Sequence, residues 1–382
     1  MFDNFIIPIL LLSAVLFIIQ AVSSVIGANI YDVQTQKRKR NSLNKKYYKR
    51  PLVTILINTR NSEKVIENAL NSIIKSSYKK YEIIIIDNNS KDSTKKIVGS
   101  FIKANTKQSI RLVVKRKRSI SNPDKYRVFK SYGKGDLVLL LRPEVIVEKT
   151  TIKEFVDRIN RDGTIQALSP RFISKTNYTL TSLFQSYLNS VELRSNKSKN
   201  LVGINFSQDA VILKRDIFNT TFNTKNKTVN PKVIFDDSII LYAPAINTFG
   251  GLLLNKSKIK LEKLKFYVSK SILWPILIIE IITSIFVPIL IGYLIYLAIS
   301  LHEPTLLLLS WGLLTVFLIL AVWSDSHRSF HTKINYTLGI PITFILFYLE
   351  SIAGLIATLS PFLWPEFMYP SSLRPNNGNA RT

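Results

Sequence analysis

Four stretches of this chain are apolar for long enough to cross a lipid bilayer, and no other feature restricts its fold so strongly. They run Phe5–Gly27, Ile272–Leu301, Thr305–Trp323 and Ile334–Trp364, and none contains a lysine or arginine. A hydrocarbon core takes about 20 residues at helical rise, so each segment is long enough. The first has no basic residue ahead of it, and its apolar run exceeds that of a signal peptide, so it reads as an uncleaved anchor. What remains is a long segment between the first and second spans, with room for one ordinary domain.

The formal charge of +27 is concentrated in that segment. Every Lys and Arg except Arg374 and Arg381 falls either there or in the short loop "SDSHRSFHTK". Basic residues mark the cytoplasmic side of a membrane protein, so the expected arrangement is a multi-pass cell-membrane protein with a cytoplasmic domain and extracytoplasmic termini. Nucleic acid is not an expected partner, because contact with anionic lipid headgroups accounts for the basic face. The chain has no cysteine, which excludes disulfides, thiolate metal sites and cysteine nucleophiles.

The expected organisation is an anchor over 1–28, a basic juxtamembrane tether over 29–50, a domain over 51–258, an amphipathic interfacial helix over 259–271, three spans within 272–364 and a tail over 365–382. Within the domain, "LVTILIN", "YEIIIIDNNS", "IRLVVKR" and "DLVLLL" read as strands. Three of these are nearly pure runs of apolar residues, as strands covered on both faces are. Between them, "SEKVIENALNSIIKSS" and "KDSTKKIVGSFIKAN" carry apolar residues at helical spacing. Strand alternating with helix predicts an α/β fold with a parallel sheet. Ligands collect at the carboxyl ends of such strands, which singles out Asn58–Asn61, Asp87–Ser90 and Arg142–Glu144. Farther on, "TTIKEFVDRI" and "TSLFQSYLNSVELRSNKS" read as helices, "DAVILKRDIF" as strand-like, and "KVIFDDSIILYA" carries two adjacent acids.

The run "PLVTILINTRNSEKVIENALNSIIKSSYKKYEIIIIDNNSKDSTKKI" resembles the opening of membrane-anchored glycosyltransferases of family 2, which have a GT-A type, Rossmann-like nucleotide-sugar domain. The resemblance implies a nucleotide-sugar site at Thr59, Asn61, Asp87 and Asn89, Asp87 matching the carboxylate that receives the base or ribose. The family's G-D-x-x-x-x-x-D-x-D pattern aligns without a gap on "GDLVLLLRPE", with Arg142 at the first metal-site Asp and Glu144 at the second. A guanidinium has donors and no acceptor, so it cannot be a metal ligand. Two readings follow: Arg142 replaces a divalent Mg or Mn ion on the pyrophosphate, or it neutralises Glu144 at an abandoned metal site. Glu144 is the one remaining candidate ligand.

The resemblance further implies that Asp236 and Asp237 match the family's E-D pair, with Asp237 as general base. Glu262, Lys265 and Phe266 stand where a Q-x-x-R-W motif would meet the acceptor. The implied function is transfer of a sugar from a nucleotide sugar to a lipid-linked or polysaccharide acceptor. The alternative is a catalytically inactive homologue that scaffolds or regulates a motif-intact glycosyltransferase.

Overall fold

The computed structural model of the protein describes residues 3–42, 50–115, 122–174, 180–201, 210–222, 233–243, 274–302 and 330–363, with scattered positions from 248 to 323. The chain divides into two units. One comprises Met1–Ile26, Thr176–Ser195 and Ala245–Thr382, the other Gly27–Lys175 and Asn196–Pro244.

The second unit is built on one sheet. Its strands are β1 (Val53–Thr59), β2 (Tyr81–Asn88), β3 (Ile110–Lys115), β4 (Leu137–Leu141), β5 (Ile146–Val147), β6 (Ala167–Ser174), β7 (Ala210–Lys214) and β8 (Val233–Ala243), in the order β3-β2-β1-β4-β7-β6-β8-β5. The first four are mutually parallel. Beyond them β7 runs antiparallel to both its neighbours, β6 and β8 are parallel, and β5 is antiparallel to β8. Helices α2 (Ile66–Ile74), α3 (Thr94–Ala104) and α5 (Thr151–Arg161) bury their apolar sides in a core on one face of the sheet, with Ile55, Ile57, Ile83 and Ile85. Helices α4 (Asn122–Tyr132) and α7 (Arg215–Phe222) cover the other, over Leu56, Ile84, Ile86 and Val138. Alternate residues of one strand therefore serve two cores, which is why β1, β2 and β4 are apolar throughout.

The sheet must curl. Only the link 142–145 joins β4 to β5, which stand four strand spacings apart. A flat sheet would separate them by about 19 Å, while five fully extended residues reach at most about 18 Å. The link is not extended, because the Val145 N–H bonds to the Arg142 carbonyl at 3.2 Å and closes a turn. The far edge accordingly folds back onto α2, where the Val147 N–H donates to Ser72 Oγ at 3.0 Å.

The Gly135-Asp136 pair at the start of β4 belongs to the opposite end of the strand from Arg142 and has a structural task. Gly135 N–H donates to Thr54 Oγ1 at 2.9 Å and to Glu82 Oε1 at 3.2 Å. Asp136 Oδ2 accepts from Leu52 N–H at 3.1 Å. A Cβ on Gly135 would stand 2.4 Å from the Thr54 backbone nitrogen and 2.8 Å from the Leu137 carbonyl oxygen, and neither can yield without disturbing the sheet. Gly135→Ala is expected to destabilise the domain by about 1–3 kcal/mol, the usual cost of overpacking; equilibrium denaturation measures it.

The structure fills in three of the sequence readings. The segment read as a tether is helical to Ser42, as the end of α1 (Asp3–Ser42), and Tyr31 and Thr35 on it are buried. "DAVILKRDIF" is strand only to Lys214 and then turns into α7, where Arg215 Nε donates to the Gly135 carbonyl at 2.6 Å. The adjacent acids Asp236 and Asp237 lie within β8.

In the first unit, helices α8 (Trp274–Ser300) and α9 (Phe330–Leu363) pack against each other. Among the described residues one helix, Trp274–Ser300, is long and apolar enough to cross a membrane. The apolar segments at either end of the chain lie within α1 and largely within α9, and most of Thr305–Trp323 is outside the described residues. Glu280, an acid inside an apolar helix, accepts a hydrogen bond from Gln20 Nε2 at 3.3 Å. A polar pair of this kind lessens the cost of a carboxyl in such a setting.

Candidate functional site

The carboxyl ends of β1, β2 and β4 form one edge. Thr59 stands opposite Asp87 in the β1–β2 register, and Ile57 opposite Leu141, the residue before Arg142. β1 and β2 each lead into a turn with a left-handed residue. Asn61 and Asn89 have φ of 50° and 56°, the left-handed region that asparagine tolerates better than most side chains.

The two turns are tied together. Ser90 Oγ accepts from Asn61 N–H at 3.0 Å, and Asn61 Oδ1 accepts from Lys91 N–H at 2.9 Å. Asp92 Oδ2 accepts from Glu63 N–H at 3.1 Å, and Glu63 Oε2 from Ser93 N–H at 2.9 Å. Burial acts to raise the Asp92 carboxyl, but hydrogen bonds from Thr94 Oγ1 and from backbone N–H groups outweigh it and hold Asp92 below the ordinary carboxylate range. This lacing was not read from the sequence, although an Asp two residues before a Thr at a helix start is its signature.

Asp87 is fully buried. Its Oδ2 accepts from Ser90 N–H at 3.0 Å, its Oδ1 from the Ser90 hydroxyl, and Lys95 Nζ lies 3.8 Å away. Beside it, Thr59 Oγ1 and Asn88 Oδ1 are buried with no hydrogen-bond partner. Buried polar atoms are nearly always paired, so orphans at a strand edge ask for a ligand. An open cleft of about 630 Å³ lies over the turns that follow, lined by Asn61, Lys64, Lys91, Asp92 and Glu144 among others. Thr59, Asn61, Asp87, Asn89, Arg142 and Glu144 are thus gathered at one edge.

Arg142 and Glu144 face each other, Nε to Oε1 at 3.1 Å, both half-exposed. At the position where the resemblance implies a divalent ion, a guanidinium stands against a carboxylate. Among the described residues no group of three or more His, Cys, Asp or Glu side chains could hold a metal ion. This donor set does not fit Mg or Mn, which take several oxygen ligands.

Asp236 and Asp237 reach the same edge from farther along the sheet. Leu141 pairs with Ala210, Leu168 with Ile212 and Pro170 with Asp236. Extending the β6–β7 register by two residues sets Pro170 level with Ala210, and so Asp236 level with Leu141. The register then jumps from Pro170–Asp236 to Arg171–Ile240. Asp237 to Ile239 form a bulge, a device that re-aims side chains next to active sites.

The two acids differ sharply. Asp236 is buried, paired with Arg158 Nε at 2.9 Å and bonded by the Ser238 N–H at 3.1 Å and hydroxyl at 2.5 Å. Asp237 is 13% exposed and lies 2.7 Å from Lys197 Nζ, which in turn lies 2.6 Å from Asp32. Arg158, Lys197 and Asp32 were not singled out from the sequence; they come from α5, α6 (Leu180–Leu201) and α1. Glu262, Lys265 and Phe266 lie outside the described residues.

Residues 54–222 match the model of glycosyl transferase family 2. No curated protein sequence matches the chain. Among solved structures, the chain is similar to a mannosyltransferase from Pyrobaculum calidifontis in complex with GDP-Man and Mn2+, at 15% identity and a TM-score of 0.51, over 91% of this chain and 99% of that one. It also matches S. aureus TarS residues 1–349, at 14% identity and a TM-score of 0.36, over 82% of this chain and 91% of that one. A third match is glucosyl-3-phosphoglycerate synthase from Mycobacterium tuberculosis, at 15% identity and a TM-score of 0.31, over 44% and 58%.

Proposed function

Because residues 54–222 form a glycosyltransferase family 2 domain with the α/β fold of the GT-A type, we propose that the chain is a membrane glycosyltransferase. It moves a sugar from a nucleotide sugar to a lipid-linked or polysaccharide acceptor without a metal ion. The observation that carries this reading is the meeting of Thr59, Asp87 and Arg142 with the Asp236–Asp237 bulge on one sheet edge.

In this proposal the nucleotide lies over Asp87 and the orphaned Thr59 hydroxyl, with Asn61 and Asn89 shaping the turns around it. The acceptor hydroxyl oxygen forms its bond to the anomeric carbon as the bond from that carbon to the diphosphate oxygen breaks. The electron pair leaves with the diphosphate, and the acceptor proton passes to Asp237. Arg142 meets the charge that develops on the leaving group, as a planar guanidinium can do bidentately.

The four apolar segments cross the membrane in this reading, with the domain on the cytoplasmic side. Its support is the absence of Lys and Arg from all four and their concentration in the segments between. The basic end of α1, with Lys37, Arg38 and Arg40 exposed, then rests on anionic headgroups, each basic residue adding about 1 kcal/mol.

The Arg142–Glu144 contact also favours a second reading, in which the pair closes an abandoned metal site and the protein is an inactive partner of a motif-intact glycosyltransferase. Transfer of labelled sugar from a panel of nucleotide sugars to membrane extract separates the two. Turnover with at least one donor in the presence of a chelator is the expected result. Background transfer with every donor, with and without Mn, together with copurification of a related transferase, supports the inactive homologue.

A further inference from the structure

The C-terminal part of α1 carries Asp32 into an ion network with the proposed base, and two neighbouring contacts hold it there. Tyr31 Oη donates to the Phe235 carbonyl at 2.5 Å, directly before the two acids. Gly27 approaches α6 so closely that a Cβ there would stand 2.3 Å from Ser198 Oγ. Lys197, 4% exposed in its side chain, lies between Asp32 at 2.6 Å and Asp237 at 2.7 Å. A lysine this buried is seldom found without a partner, and here it has two carboxylates. Tyr31 is itself so buried that its hydroxyl is pushed well above the usual range for tyrosine, by loss of solvent first.

From this geometry we infer that Lys197 and Asp32 are positioning residues for Asp237, so that the segment after the first apolar span is part of the active site. The inference rests on the reading of Asp237 as general base. Lys197 holds the Asp237 carboxylate toward the bulge and favours its ionised form. Asp32 draws part of that charge away and keeps Asp237 basic enough to accept a proton. Among the described residues, Asp236 beside it on β8 is paired with Arg158 on α5, and Asp236 and Arg38 both act on Tyr31 of α1.

The two residues should act with opposite sign, which a merely structural role would not give. An opposite charge this near favours the ionised carboxylate, by one to a few pH units in typical cases. In the full-length protein, Lys197→Met is expected to move the acid limb of the kcat profile up by about one pH unit or more. Asp32→Asn is expected to move it down, and Lys197→Arg to restore it, with the KM for the nucleotide sugar unchanged in each. Melting temperatures with and without nucleoside diphosphate show that each variant is folded and binds. Limbs that move the same way, or do not move while turnover persists, overturn the inference and leave the transferase reading standing. Wild-type protein that binds nucleotide yet transfers no sugar overturns that reading, and this one with it.

Discussion

Asp237→Asn should lower sugar transfer by about 10²–10⁴-fold, the range over which a positioned general base contributes, and leave nucleotide binding as it was. The substitution keeps the shape of the side chain and removes its ability to take a proton. It need not unfold the site, because Lys197 retains Asp32 at 2.6 Å and is not left as an unpaired buried charge. Asp236→Asn is the contrasting variant. Asp236 is 1% exposed and ion-paired to Arg158 at 2.9 Å, so its loss should appear first in the melting temperature, since breaking a buried pair leaves an uncompensated charge. Initial rates and thermal melts of the two variants test the assignment. An Asp237→Asn protein that transfers sugar at the wild-type rate would remove Asp237 from the chemistry.

Arg142→Ala should abolish the metal-independent stabilisation of the domain by nucleoside diphosphates and cut transfer by about 10²–10³-fold, as loss of one group opposite developing charge does. A ligand that binds only the folded state raises its apparent stability in proportion to the logarithm of its concentration over Kd, so thermal melts with and without Mn report the interaction directly. Glu144 pairs with Arg142 at 3.1 Å and is half-exposed; removal of its partner therefore leaves a carboxylate that water can reach. The fold should survive for that reason. Unchanged nucleotide stabilisation in Arg142→Ala would mean that the arginine only neutralises Glu144, which is the inactive-homologue reading.

The parallel half of the domain was legible because its signals are local. "LVTILIN", "YEIIIID" and "DLVLLL" are apolar on both faces since helices cover both faces, and the helices between them show the spacing of one buried side. Asp87, Asn61 and Asn89 could be singled out for a related reason: they stand at or just past the carboxyl ends of β1 and β2, where an α/β sheet gathers its ligands. The second half was harder. β6 reads "ALSPRFIS", with a proline and an arginine inside the strand, and its parallel pairing with β8 depends on residues distant in the chain. "KVIFDDSIILYA" suggested acids ahead of an apolar run, whereas the strand includes them and bulges at Asp237. Nothing local distinguishes a bulge of this kind from a loop.

What the sequence determined by itself was the buried strand Leu137–Leu141 and the turn after it that carries Arg142 and Glu144. Hydrophobic periodicity and turn chemistry depend on neighbours within a few residues, and a single chain displays both. Only the tertiary structure decided which charges of distant segments meet: Arg158 with Asp236, and Lys197 with both Asp32 and Asp237. An ion pair forms where separate elements converge at about 3 Å, and its energy depends on burial at that point, so no pattern in the sequence foretells it. The helix read as a basic juxtamembrane tether shows the difference most plainly. Its composition is that of an exposed basic segment, yet Tyr31 and Asp32 on it reach the strand that carries the proposed base.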